Sequence, residues 1–186
     1  PYYNKPSQAG LAAHFLHLAE RSPVPIVVYN VPSRTVADIS VESLAEISKH
    51  PKIVAVKDAT GNLARVSAQR LACAERFCQL SGNDDMALGF NAMGGIGCIS
   101  VSANVAPREM ADMVAAALRG DRETAERIDA KLVPLHRDLF LEPNPIPVKW
   151  ALAQMGLIGR GIRLPLTELA SQHHAAGFRA RCAHSP

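Results

Sequence analysis

The chain has 186 residues, 48% of them hydrophobic, 20% charged and 5% aromatic. That is enough apolar material for one soluble domain with a core built from Ala, Val, Leu and Ile. The formal net charge of +3 is concentrated towards the end, where Ser171 to Pro186 holds Arg179 and Arg181 and no acid. A near-neutral body without a basic stripe excludes a nucleic-acid-binding surface, and no apolar run reaches the roughly 18 residues of a membrane span. Cys73, Cys78, Cys98 and Cys182 form neither CxxC pairs nor a Cys/His zinc spacing, so no structural metal is expected. Scattered cysteines point to a reducing compartment, the cytoplasm. The chain opens Pro1-Tyr2-Tyr3 with neither a signal peptide nor an initiator methionine. It is expected to be the retained part of a longer protein.

Ser7 can cap a first helix, with Leu11, Phe15, Leu16 and Leu18 mostly on one face and Pro23 and Pro25 ending it. Ile26-Val27-Val28-Tyr29 reads as a buried strand, followed by Asn30-Val31-Pro32-Ser33-Arg34-Thr35. Ser40 can cap the next helix, with Val41, Leu44, Ala45 and Ile47 facing inward and Glu42 at the positive end of its dipole. Ile53-Val54-Ala55-Val56 is a second buried strand, closed by Lys57 and bounded by Pro51 and Gly61. A helix over Leu63 to Cys73 follows, then a strand at Phe77-Cys78-Gln79-Leu80 that closes on Ser81-Gly82-Asn83-Asp84-Asp85. A short helix through Met86, Leu88 and Phe90 leads to the Gly94-Gly95-Ile96-Gly97 turn and a fourth strand, Cys98 to Val101. Pro107 starts a helix running to about Arg119. After Gly120 the pattern is helical only: Arg122 to Phe140, a break at Pro143, Pro145 and Pro147, then Val148 to Met155.

Strand and helix alternate, which is the rhythm of βα units on a parallel sheet. Four strands cannot close a barrel of eight, and a (β/α)8 TIM barrel takes about 250 residues. The fold class is therefore α/β. Residues 1–119 are expected to form the second half of such a barrel, about strands 5–8. Residues 120–170 are an appended helical region, and 171–186 a tail. A half-barrel leaves a hydrophobic edge uncovered.

Chemistry in parallel barrels gathers at the C-terminal ends of the strands. Here those ends are Tyr29, Lys57, Gly82 with Asn83, and Ile99 to Ser102. Two readings fit Lys57. It is a paired or snorkelling lysine, or an amine whose desolvation frees the neutral form to attack a carbonyl. Tyr29 on the neighbouring strand is either a core aromatic or the partner that moves protons for that amine. Arg34 is a solvated loop residue or, in a cleft, a clamp for a carboxylate. No phosphate-cradling glycine motif is present. His173, His174 and His184 have no metal-like partners.

Taken together, Tyr29-Asn30-Val31-Pro32-Ser33-Arg34-Thr35, Val56-Lys57-Asp58-Ala59-Thr60-Gly61-Asn62, Ser81-Gly82-Asn83-Asp84, Gly97 to Val105 and Glu142-Pro143-Asn144-Pro145-Ile146-Pro147-Val148-Lys149-Trp150 resemble the dihydrodipicolinate synthase (4-hydroxy-tetrahydrodipicolinate synthase) family. Order and spacing agree from Pro1 to about Thr167. The resemblance implies a lyase of the class I aldolase type in lysine and diaminopimelate biosynthesis, with no cofactor and usually a homotetramer. Lys57 would form a Schiff base with pyruvate, Tyr29 would transfer protons, and Tyr3 would join the proton relay from a neighbouring subunit. Arg34 would hold the carboxylate of aspartate semialdehyde, and Gly82 and the Ile99 backbone would line the pyruvate site. Tyr2 would lie where lysine acts as a feedback inhibitor in some members.

N-acetylneuraminate lyase and keto-sugar-acid aldolases share the Lys57 and Tyr29 types. Arg34, within Ser33-Arg34-Thr35, favours aspartate semialdehyde over their substrates. The threonine pair that the family uses for pyruvate's carboxylate is absent from this sequence. That absence keeps a non-catalytic remnant as a further alternative. Asp58 and Asn83 stand where Glu and Asp are common, and the run Arg179 to Pro186 departs from the family's closing helix.

Overall fold

The computed structural model describes residues 1–175, which fall into two compact units, Pro1–Ile99 and the residues from Ser100 onward. The run Arg179 to Pro186, with Cys182 and His184, lies outside the described residues.

The first unit alternates helix and strand as its hydrophobic pattern dictates. It comprises α1 (Gln8–Arg21), β1 (Ile26–Asn30), α2 (Pro32–Thr35), α3 (Val41–Ile47), β2 (Ile53–Asp58), α4 (Ala64–Ala72), β3 (Cys78–Ser81) and α5 (Ala87–Ala92). A single turn of 3-10 helix, Asp84–Met86, precedes α5. Ser7 and Ser40 do cap α1 and α3, accepting from Gly10 N at 3.2 Å and Ser43 N at 3.2 Å and satisfying donors the helix cannot pair internally. The three strands are parallel in the order β1-β2-β3, with Tyr29 opposite Lys57, Asn30 opposite Asp58, and Lys57 opposite Leu80.

Side chains alternate across a strand, and the two faces of the sheet differ. Val28 and Val56, with Ile53 brought to their face by the register shift between Ile26 and Val27, join Leu11, Ala12, Ala19, Ile39, Leu44, Ile47 and Phe77 in one buried cluster. The opposite face carries Val27 and Tyr29, each 45% exposed. The apolar run of β1 predicts burial on both faces, whereas β1 is an edge strand covered on one face only.

The expected fourth strand is reduced to a one-residue parallel bridge, Ser81↔Cys98. Backbone bonds from Ser81 N to Gly97 O and from Ile99 N to Ser81 O, both 2.9 Å, hold that segment to the end of β3. The chain then turns into a 3-10 helix at Ser102–Asn104, so pairing stops after a single rung.

The second unit contains that 3-10 helix, α6 (Pro107–Leu118), α7 (Arg122–Asp138), α8 (Ile146–Gln154) and a 3-10 turn at Ser171–His173. Gly120, at φ +79, reverses the chain after α6, and Asp121 caps α7 by accepting from Thr124 N at 3.1 Å. α6 and α7 pack together and bury Met110, Met113 and Ala116 on one helix and Ala125, Leu132 and Leu135 on the other. α8 begins at Ile146, two residues earlier than the proline spacing suggests, because Pro147 falls in the first turn, where a helix needs no N–H from it.

Candidate active site

The site assembles at the C-terminal ends of β1, β2 and β3. Parallel pairing places Tyr29 and Lys57 side by side and, by alternation, on the same face of the sheet. Lys57 is half-buried, and its Nζ lies 4.1 Å from the centroid of the Tyr29 ring. An ammonium over a phenol face is an attractive contact, and it holds the amine beside a phenol that can carry a proton.

Gly82 lies beside the Lys57 arm. Its N–H donates to Asp58 O at 2.7 Å, which pins the end of β3 to the end of β2. A Cβ on residue 82 would lie 2.7 Å from Ala59 Cβ, 3.1 Å from Asp58 O and 3.2 Å from Lys57 Cε. Only glycine leaves the lysine arm its course. Ile99 comes next along the same edge through its N–H bond to Ser81 O. Tyr29, Lys57, Gly82 and the Ile99 backbone are therefore brought together as the sequence suggests.

Arg34 is in the last turn of α2 rather than in a loop, and it is exposed. Tyr2 and Tyr3 are 73% and 87% exposed on the segment before α1. Among the described residues, neither of those rings makes a hydrogen bond or ring contact with Lys57 or Tyr29.

Two groups near the site do not stand out in the sequence. Cys98 stands in an apolar run, where a cysteine is most simply a small core residue. Its Sγ donates to Asp84 Oδ1 at 3.7 Å, and burial, with Asp84 beside it, pushes its pKa up to about 12. It is therefore a neutral thiol near Lys57, not a nucleophile.

The other is a buried polar network behind the strand ends. Asp58, 4% exposed, accepts from Thr60 N at 2.9 Å, Thr60 Oγ1 at 2.7 Å, Gln69 Nε2 at 2.7 Å and Arg65 Nε at 3.3 Å. The sequence signal for it is the position of Arg65, a cation in the first turn of α4, where the helix dipole disfavours it. Among the described residues no three His, Cys, Asp or Glu side chains could hold a metal ion, and no helix is long and apolar enough to cross a membrane.

Residues 1–180 match the model of the dihydrodipicolinate synthetase family. The chain belongs to that family. A 4-hydroxy-tetrahydrodipicolinate synthase of Zymomonas mobilis is 55% identical over 186 residues, covering 100% of this chain and 64% of its own length. The chloride-inhibited dihydrodipicolinate synthase of Acinetobacter baumannii, solved in complex with pyruvate, superposes with a TM-score of 0.95 at 44% identity, covering 98% of this chain and 63% of that one. The enzyme of Cyanidioschyzon merolae, solved with lysine bound, gives 0.94 at 35% identity, covering 98% and 62%. The chain thus spans less than two thirds of each of these family members. Its parallel sheet and flanking helices have the α/β arrangement of the family.

Proposed function

We propose that the protein works as a 4-hydroxy-tetrahydrodipicolinate synthase, joining pyruvate to L-aspartate 4-semialdehyde, with Lys57 as the Schiff-base amine. The observation that carries this reading is the placement of Lys57 Nζ over the Tyr29 ring at the strand ends, 4.1 Å from its centroid. Similarity to synthases over the whole described chain supports it.

Neutral Nζ adds to C2 of pyruvate, and the carbinolamine loses water to leave an imine. A methyl proton departs to give an enamine, which attacks the aldehyde carbon of the second substrate. That substrate's own amine then closes on C2 and displaces Lys57. Tyr29 is the proton carrier for the addition and dehydration steps, and Tyr3 joins it from a second subunit of a homotetramer. Arg34 takes the carboxylate of the semialdehyde as a bidentate partner. Gly82 and the Ile99 backbone bound the pyruvate. Tyr2 belongs to a lysine-inhibition site, in keeping with the lysine complex of a relative. The sheet is one part of a (β/α)8 barrel, and the protein acts in the cytoplasm.

Borohydride reduction in the presence of pyruvate tests the reading. Mass spectrometry is expected to find the reduced pyruvyl adduct on Lys57, with none in Lys57→Ala. A wild-type chain that gains no mass would be a non-catalytic remnant. A protein that forms the adduct but, unreduced, turns over sugar acids and not the semialdehyde would be a sibling aldolase.

A further inference from the structure

Arg65 stands where a cation is unfavourable by the helix dipole, in the first turn of α4, and its side chain is only 13% exposed. Such a guanidinium must be held by its partners. It has three. Nε donates to Asp58 Oδ2 at 3.3 Å, Nη1 faces Asp38 Oδ2 at 3.6 Å, and Nη2 donates to Ile39 O at 2.6 Å. Asp58 directly follows Lys57. Asp38 and Ile39 end the segment that leads from β1 through α2, and that segment carries Arg34.

The same segment returns to β1. Asn30, 1% exposed and next to Tyr29, donates Nδ2 to Asp38 Oδ1 at 2.8 Å and accepts from Ile39 N at 3.2 Å. Ala59 N donates to Asn30 O at 2.9 Å. A closed ring of bonds therefore runs behind Tyr29, Lys57 and the Arg34 segment, on the opposite face of the sheet from the amine. Arg65 is the member of it that joins both carboxylates. Gln8 steadies the segment from outside through Asp38 O at 2.7 Å and Ser40 N at 3.0 Å. Removing Arg65 would thus loosen that segment without melting it.

We propose that Arg65 is a positioning residue that locks the Arg34 segment to the end of the Lys57 strand and so sets affinity for the carboxylate-bearing second substrate. This rests on the synthase reading given above. Arginine suits the task because its planar fork serves several acceptors at once, whereas a lysine offers one point charge.

The test compares wild type, Arg65→Lys and the milder Asp38→Asn in the intact protein. Asp38→Asn leaves the Arg65–Asp58 pair in place, which keeps an interpretable variant if Arg65→Lys folds poorly. KM for the semialdehyde is expected to rise about tenfold, as small misplacements of a binding group do. KM for pyruvate and the yield of borohydride adduct should stay within about twofold. Amide hydrogen exchange across residues 31–39 should quicken about tenfold while that of β2 holds. A purely structural role would shift both KM values alike, and that result, or unchanged values with unchanged exchange, overturns the proposal. Wild type that forms no pyruvate adduct refutes the synthase reading instead. The exchange measurement then judges the lock by itself.

Discussion

Gly82→Ala is the substitution whose consequence the geometry fixes most closely. The new methyl would sit 2.7 Å from Ala59 Cβ, 3.1 Å from Asp58 O and 3.2 Å from Lys57 Cε. Carbon atoms settle at about 3.5–4.0 Å, so roughly 1 Å of overlap must be relieved. Ala59 Cβ and Asp58 O are both tied to backbone and cannot swing aside. The ends of β2 and β3 must therefore part, stretching the 2.7 Å bond from Gly82 N to Asp58 O. Overpacking costs about 1–3 kcal/mol and a weakened hydrogen bond about 1 more, about 2–4 kcal/mol in total. For a chain of this size that lowers Tm by roughly 5–15 °C.

Displacement of the Lys57 arm adds a second effect, loss of most of the pyruvate adduct per unit time. Gly61→Ala is the control. Gly61 has φ +75, and a methyl added there would meet nothing within 4 Å, so only backbone strain of about 1–2 kcal/mol applies and the adduct should form normally. Denaturant melts and adduct kinetics on both variants decide the matter. A Gly82→Ala protein as stable as wild type and equally fast to trap pyruvate would refute the close-approach argument.

Three further outcomes are expected. Val36, a β-branched residue at φ +54 and ψ +22 and 65% exposed, pays for a left-handed conformation with no buried side chain in return. Val36→Gly should stabilise by about 0.5–1 kcal/mol after glycine's unfolded-state entropy is counted, and an unchanged or lower Tm contradicts this. Cys98, raised from 9.0 to about 12, should carry about a thousandfold less thiolate than an ordinary thiol and resist iodoacetamide at pH 8 until the chain is unfolded. Because the folded pKa lies above the unfolded one, its contribution to stability is complete below about pH 9 and lost as pH rises towards 12, which Cys98→Ala should remove from the alkaline limb of a stability profile. Tyr29→Phe keeps the ring under Lys57 Nζ but deletes the proton. It should slow adduct formation by about 10²–10³ with little change in Tm, and a normal rate would assign proton transfer elsewhere.

Local pattern in the sequence determined most of the elements and their order. Ser7 and Ser40 announce their helices, Pro107 announces α6, and the apolar runs at Ile26 and Ile53 announce parallel strands, because caps and periodicity are properties of neighbouring residues. Lys57 and Tyr29 were legible as candidates for the same reason: a strand end is marked by the residues beside it. What lay beyond the sequence was pairwise. That β1 is half uncovered, that the strand expected at Cys98 to Val101 makes a single bridge, and that Gly82 must lack a Cβ because of Ala59, all depend on which segments meet in space. Arg65 shows the difference most plainly. Its sequence position says only that a cation stands at the wrong end of a helix. Tertiary folding alone brings Asp38 and Asp58, 20 residues apart in the chain, to the two sides of one guanidinium, since which charges meet is settled by packing and not by local propensity.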